Sequence, residues 1–296
     1  MIRDAASVAT PPTLLPPSLE GRERHLRQLL ASFDSVLVAF SGGVDSAYLG
    51  WVASDVLRAR ALCVTADSPS YPDHQRQLAI RIAREFGLHH EFVRTAEFER
   101  PEYRANPVNR CYYCKHELYT TLSRLAAVRG FAVVVDGSNA DDRGDYRPGR
   151  TAAREFGVRS PLDEAALSKD DIRELSRRAG LPTWDEPASP CLSSRIPYQS
   201  EVTLEKLRMI ERAEQVLREL GFRLCRVRHH DAASVAPGAL ARLEIAAADL
   251  ARALEPEVRA RIVGALKGIG YQHVTIDLQG YRMGSLNDGV RLTPQF

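Results

Sequence analysis

Ser41-Gly42-Gly43-Val44-Asp45-Ser46 puts two hydroxyls, two adjacent glycines and a carboxylate into one short turn. The residues before it, Val36-Leu37-Val38-Ala39-Phe40, are apolar and rich in β-branched side chains, which reads as a buried strand. Adjacent glycines let the backbone come close to a ligand and present its N–H groups. The helix that follows adds the positive end of its dipole, so the turn suits an anion such as a polyphosphate. Ser41 and Ser46 add donors, and Asp45 is placed to orient the loop or a Mg²⁺ ion. No lysine follows the glycines, so this is not a Walker-type loop.

A second group of chemically capable residues is Cys111-Tyr112-Tyr113-Cys114, a CxxC, with a third thiol at Cys191. On a helix start, thiols three residues apart face the same side. A lone CxxC is compatible with a redox pair, half a zinc site or two packed cysteines. A fourth zinc ligand would have to be His116, Cys225 or the His229-His230 pair, and no spacing supports that closely. Three thiolates can also hold a 4Fe-4S cluster and leave one iron open. Cys63 lies in an apolar run and reads as core, and Cys225 reads as structural. Arg226 and Arg228 alternate along an expected strand, so both project from one face, either as an anion clamp or as a solvated basic edge.

The chain has 296 residues, enough for two domains, with 44% apolar and 26% charged residues, the composition of a soluble globular protein. Net charge is +2, and the cations are nearly all arginine: only Lys115, Lys169, Lys206 and Lys267 are lysine. No apolar run is long enough to span a bilayer, and the proline-rich start lacks the core of a signal peptide. A cytoplasmic location with reduced thiols is expected.

The elements that must position these groups alternate between strand and helix. Strands are expected at Val36–Phe40, Ala61–Ala66, His90–Val93 and Phe131–Asp136. Helices are expected from Ser18, after Gly43, over Pro72–Phe86, Lys115–Val128 and from Ser168 to Ala179. This order implies an α/β fold, a parallel sheet with helices on both faces and ligands beyond the carboxyl ends of the strands. Ser41, Asp67 and Asp136-Gly137-Ser138-Asn139 all fall at such ends. The three prolines between Leu181 and Pro190 mark a connector. A flexible tail is expected over 1–17, one domain over 18–183 and a smaller α+β domain over 184–296. The latter has a helix over Val202–Leu220, strands at Arg223–Arg228 and Leu243–Ile245, a long helix over Ala247–Leu266 and a strand at Val274–Leu278.

Ser41–Ser46 resembles the SGGxDS motif of the PP-loop ATP pyrophosphatases, which split ATP into AMP and pyrophosphate and adenylylate a substrate. With Arg110–Lys115, Asp136–Gly149, Arg159–Leu162, Pro190–Tyr198, Arg226–His230 and Gly280–Asn287, the chain resembles the LarE family from about residue 20 to its end. The Pro190–Tyr198 and Gly280–Asn287 blocks are the most diagnostic. The resemblance implies a PP-loop domain with a smaller C-terminal domain. The implied activity is ATP-dependent sulfur insertion into a pyridinium-3,5-dicarboxylate mononucleotide, through an acyl-adenylate, in making a nickel-pincer nucleotide cofactor.

The resemblance also implies roles. Ser41, Gly42, Gly43, Asp45, Ser46, Asp67 and Ser138 would bind ATP and Mg²⁺, and Cys191 with Asp45 would be catalytic. Arg195, Glu214, Arg226, Arg228, Glu244 and Arg282 would face the substrate, with the 5′-phosphate clamped by Arg226 and Arg228. Family members with only the Cys191 match sacrifice that sulfur and leave dehydroalanine. Those with the CxxC as well hold a 4Fe-4S cluster, and Cys111, Cys114 and Cys191 place this chain with them. Ser234–Leu240 looks inserted relative to the family. A homo-oligomer and a sulfide or cysteine desulfurase source are expected, and neither membrane nor nucleic acid. The rival is a tRNA 2-thiolating PP-loop enzyme, which would need an RNA-binding domain or a broad basic surface, and the C-terminal charges are mixed. A further alternative, a non-catalytic ATP or metal sensor, would release no pyrophosphate.

Overall fold

The computed structural model describes residues 18–144, 148–231 and 238–285. The expected tail over 1–17, residues 234–237 of the expected insertion, and Leu286-Asn287 of the last family block lie outside them. The N-terminal unit contains α1 (Leu19–Ala31), β1 (Val36–Ala39), α2 (Val44–Leu57), β2 (Ala61–Asp67), α3 (Asp73–Glu85) and β3 (His90–Arg94). It continues with α4 (Pro101–Arg104), α5 (Arg110–Arg129), β4 (Val133–Val135), α6 (Pro148–Glu155), α7 (Pro161–Glu164) and α8 (Lys169–Arg178).

The four strands form a parallel sheet in the order β3-β2-β1-β4. Side chains alternate along β1: Val36 and Val38 enter one core with Leu49, Val52 and Ile82, while Leu37 enters another with Val134, Leu122 and Tyr119. Burial on both faces is why this strand is an unbroken apolar run. The chain leaves β1 towards β2 on one side and meets β4 on the other, so the crevice beyond β1 is a switch point. The Ser41–Ser46 turn sits there.

The helix after the CxxC begins earlier than its periodicity suggests. It runs Arg110–Arg129 with Asn109 at its N-cap, so Cys111 and Cys114 lie in its first turns. The Ser168 side chain accepts from Asp171 N while Asp171 reaches back, a full capping box at the start of α8.

The C-terminal unit contains α9 (Leu204–Glu219), β5 (Cys225–Asp231), β6 (Ala239–Ile245), α10 (Leu250–Leu254), α11 (Pro256–Ile269) and β7 (Tyr271–Ile276). Its sheet is mixed: β5 and β6 are antiparallel, and β6 and β7 parallel. A separate core gathers Leu217, Phe222, Val227, Leu243, Ile262 and Leu266. The expected single helix over 247–266 is broken at Glu255, whose extended backbone precedes Pro256, because a residue before proline is driven out of the helical region. His229 and His230 lie within β5. Among the described residues no helix is long and apolar enough to cross a membrane.

Candidate functional site

Gly42 takes a left-handed conformation, φ 70°, and a Cβ there would lie 3.0 Å from the Cβ of Ala79 on α3. The turn therefore requires glycine twice over, for conformation and for space. The Ser46 hydroxyl accepts from Ser41 N at 3.1 Å, donates to Gly43 O at 3.1 Å and meets the Ser41 hydroxyl at 3.0 Å. These bonds hold the turn open above the α2 N-terminus. Asp45 is paired with the Lys169 ammonium from α8 and accepts from Asn139 Nδ2 at 3.3 Å. Gly137 packs against the same turn, where a Cβ would come within 3.1 Å of Ser46 N.

The other strand ends carry their own polar groups. Asp136 is buried and accepts from the Tyr119 hydroxyl at 2.7 Å, the Ser160 hydroxyl at 2.8 Å, and the Ser138 amide and hydroxyl at 3.1 Å. Asp136 thus shapes the loop that carries Ser138. Asp67 ends β2 and is paired with Arg76 at 2.5 Å. That guanidinium also lies over the rings of Phe92 and Tyr71.

Cys191 comes to the N-terminal unit on a clasped arm. Leu192 N donates to Ser70 O at 2.8 Å. The Tyr103 hydroxyl meets the Ser193 hydroxyl at 2.6 Å, and Arg110 donates to Ser193 O at 2.9 Å. Buried Asn106, between α4 and α5, donates to the carbonyls of Ile196, Pro197 and Ser200. Leu192, Ile196 and Tyr103 then share a small apolar cluster against which Cys114 packs.

The three thiols are electrostatic neighbours. Burial pushes the Cys114 thiol well up, with Glu97, Cys191 and Cys111 adding to it. Cys111 is exposed as a residue, yet loss of water around its sulfur raises its pKa, Cys191 adds to this, and Arg110 opposes it. Among the described residues, no group of three or more His, Cys, Asp and Glu side chains is arranged to hold a metal ion. Thiolates are the donors that an iron–sulfur group takes, and zinc takes them as well. Cys63 and Cys225 are buried in the two cores.

The expected substrate-facing residues divide into two kinds. Arg195 and Glu214, 2% and 0% exposed, pair at 2.8 Å, and Glu214 also accepts from Val227 N at 3.1 Å. Arg228 and Glu244 are equally buried and pair at 2.9 Å, with Arg228 also donating to Ser194 O at 2.5 Å and Ser285 Oγ at 2.8 Å. Arg226, 5% exposed, has no carboxylate among the described residues. It donates to the Tyr281 hydroxyl at 2.5 Å with its guanidinium over that ring. Burial lowers its pKa, and the nearby Arg195 and Arg228 lower it further. Arg282 is exposed.

Ser70, Tyr71, Tyr103, Asn106, Arg110 and Lys169 are central to this arrangement, and no motif singled them out by role. Lys169 carried one usable signal, as one of only four lysines in an arginine-rich chain. The others act through tertiary hydrogen bonds that no local pattern encodes.

Comparison with known proteins places this geometry in context. A family model described as NAD synthase matches residues 20–102. The chain is 45% identical over 269 residues, 91% of its length and 98% of the other's, to an uncharacterized protein, slr1717, of Synechocystis. It is 35% identical over 280 residues, 92% of its length and 95% of the other's, to the pyridinium-3,5-bisthiocarboxylic acid mononucleotide synthase of Lactiplantibacillus plantarum. A weaker match, 27% over 207 residues, covers 62% of this chain and 39% of the glutamine-hydrolyzing GMP synthase of Aeropyrum pernix.

Proposed function

The chain belongs to the LarE family of ATP-dependent sulfur transferases, and from that premise we propose that it converts a pyridinium-3,5-dicarboxylate mononucleotide to its thiocarboxylate through an acyl-adenylate. The observation that carries this reading is the segment at Ser70-Tyr71. Leu192 N donates to Ser70 O at 2.8 Å, and the Tyr71 hydroxyl donates to Ser41 O at 3.0 Å. Neighbouring residues thus tie the Cys191 arm and the phosphate-cradling turn to one piece of chain, as an enzyme joining adenylylation to sulfur delivery requires.

A carboxylate is a poor electrophile because its leaving group would be oxide. Attack of its oxygen on the α-phosphorus of ATP expels pyrophosphate and leaves a mixed anhydride. A sulfur nucleophile can then attack the acyl carbon and expel AMP. The N–H groups around Gly42 and Gly43, with the Ser41 and Ser46 hydroxyls, are assigned to the pyrophosphate as charge builds on it. Asp45 is assigned to Mg²⁺, which would release Lys169 towards the phosphates. Asp67 and Ser138 line the nucleotide side. Cys111, Cys114 and Cys191 are the residues that would hold a 4Fe-4S cluster, which when bound supplies a sulfide for transfer.

On the substrate side the reading becomes selective. Arg195–Glu214 and Arg228–Glu244 neutralise each other, so they act as the frame of the pocket. Arg226 makes no ion pair among the described residues and is assigned to the substrate phosphate. The test is pyrophosphate release from ATP with the mononucleotide as the only acceptor, followed by mass analysis of the product and of the chain. Pyrophosphate with a thiocarboxylate product supports the reading. Release with tRNA but not with the mononucleotide overturns it in favour of tRNA thiolation. A chain lighter by H₂S after turnover assigns the sulfur to Cys191 itself, and an unchanged chain assigns it to a bound sulfide.

A further inference from the structure

Arg195, Arg226 and Arg228 each donate to a main-chain carbonyl of the arm around Cys191. The acceptors are Pro190 O at 2.6 Å, Ala188 O at 3.5 Å and Ser194 O at 2.5 Å respectively. Arg226 makes the longest of the three bonds. Arg195 and Arg228 also pair with buried carboxylates, whereas Arg226 makes no ion pair among the described residues. Its short contact is with a phenol: it donates to the Tyr281 hydroxyl at 2.5 Å, with its guanidinium 4.4 Å from the centre of that ring. A neutral oxygen compensates a buried cation poorly, and an anionic one does so better.

The loop that carries Tyr281 is held by its backbone on one side of this residue and by a side chain on the other. Tyr281 N donates to Ile245 O, at the end of β6, at 2.8 Å, and Gly280 N donates to Asp277 O at 2.9 Å. Gly280 lies in the left-handed region, φ 68°, where an added Cβ would come within 2.8 Å of Ile245 O. Further on, the Ser285 hydroxyl accepts from Arg228 at 2.8 Å and donates to Glu244 at 3.0 Å. The Tyr281 ring, by contrast, joins none of the apolar clusters among the described residues. Its hydroxyl meets Arg226 and, at 3.5 Å, Ala188 O. Turning this side chain aside therefore costs little beyond the bonds of that hydroxyl.

We propose that the Tyr281 hydroxyl is a placeholder on Arg226: it fills the position of a phosphate oxygen in the empty site, and the phosphate monoester of the substrate displaces it. Tyr281 is then a specificity residue that acts by competition. A ligand without a phosphate has nothing to exchange for the phenol, whereas a phosphate brings charge and a second oxygen to the planar fork. The exchange happens beside Ala188, three residues before Cys191, so the phosphate is read next to the arm that carries the thiol. Identifying the phosphate as that of the mononucleotide rests on the sulfur-transfer reading.

The test uses the full-length chain with the mononucleotide as the probe. In calorimetric titration Tyr281→Phe should bind it roughly fivefold more tightly than the wild type, the scale of one net hydrogen bond lost to a competitor. With Arg226→Met in the background, adding Tyr281→Phe should bring no gain, because the two residues act as one unit. In the wild type the mononucleotide should speed acetylation of the Tyr281 hydroxyl by N-acetylimidazole, read by peptide mass spectrometry, because displacement frees that oxygen. Equal or weaker binding by a folded Tyr281→Phe chain overturns the proposal and makes Tyr281 a direct substrate contact or a bystander. Acetylation that is slowed or unchanged in the wild type overturns it as well, even if the variant does not fold. Pyrophosphate release is measured in parallel. Release with Tyr281 protected overturns the placeholder alone; tighter binding by Tyr281→Phe without release counts against the sulfur-transfer reading and leaves the placeholder standing.

Discussion

The carbonyl of Ser70 accepts the amide hydrogen of Leu192 at 2.8 Å. This backbone bond links the segment after β2 to the arm that carries Cys191. The next residue, Tyr71, reaches the phosphate-cradling turn through its hydroxyl, 3.0 Å from Ser41 O. Asp73 N adds a bond of 2.8 Å to Glu211 on α9, so residues 70–73 reach the arm, the turn and α9. Tyr71→Phe removes one hydrogen bond, worth about 1 kcal/mol, and should leave the fold intact. Pyrophosphate release should fall, while alkylation of Cys191 stays at the wild-type rate. If both rates are unchanged, the Tyr71 hydroxyl has no part in shaping the turn.

The two glycines of the turn should separate conformation from ligand approach. Gly42→Ala meets both a left-handed backbone and the Ala79 Cβ at 3.0 Å, so it should destabilise the protein by about 1–2 kcal/mol or more. At Gly43 the nearest atom to an added Cβ is Ser41 Oγ at 3.6 Å, so Gly43→Ala should fold normally. It should still weaken ATP binding, because the methyl group occupies the space a phosphate needs. Thermal midpoints and ATP titration of the two variants distinguish these effects.

Arg195 and Arg226 should fail differently. Arg195→Met leaves Glu214 buried with its main partner gone, a loss of about 3–5 kcal/mol for a broken buried pair. It should appear as a lower urea midpoint. Arg226→Met leaves no carboxylate behind and should raise KM for the mononucleotide tenfold or more, consistent with losing roughly 1.5–3 kcal/mol of charged hydrogen bonding. Equal urea midpoints for both variants would contradict this division.

Lys169→Met should cost little stability, because both partners of the Lys169–Asp45 pair are partly exposed, 31% and 23%, and such pairs contribute about 0–1 kcal/mol. Its effect should fall on ATP, as a raised KM with the mononucleotide KM unchanged. A KM for ATP equal to that of the wild type would remove Lys169 from the nucleotide site.

His74, at the start of α3, shares a hydrogen bond of 3.2 Å with the Ser189 hydroxyl, close to Cys191 along the arm. Burial first, and the Arg218 charge next, lower its pKa to about 4. The unfolded chain binds a proton here near pH 6.5, so between that pH and 4 the unfolded state holds more protons. The stability contributed by neutral His74 is therefore full above pH 6.5 and is lost as pH falls towards 4. Urea midpoints from pH 7 to 4 should drop less steeply for His74→Gln than for the wild type, and parallel curves would contradict the assignment.

The sequence alone determined the sheet, the phosphate turn and the family blocks. Each rests on local rules: an unbroken apolar run buried on both faces, glycines where the backbone must come close, proline where a connector must not be helical. Even some boundaries failed locally, as when Pro256 split an expected helix and α5 began at Arg110 ahead of the CxxC. Only the tertiary structure decided which arginines hold counter-charges. Arg195 and Arg226 look alike in sequence, yet one pairs with Glu214 across the fold and the other donates to the Tyr281 hydroxyl. It also decided that Tyr103, Asn106 and Arg110 clasp the arm bearing Cys191. The physical reason is range: strand and turn preferences act over a few residues, whereas charge compensation and hydrogen-bond closure depend on whatever folding brings alongside.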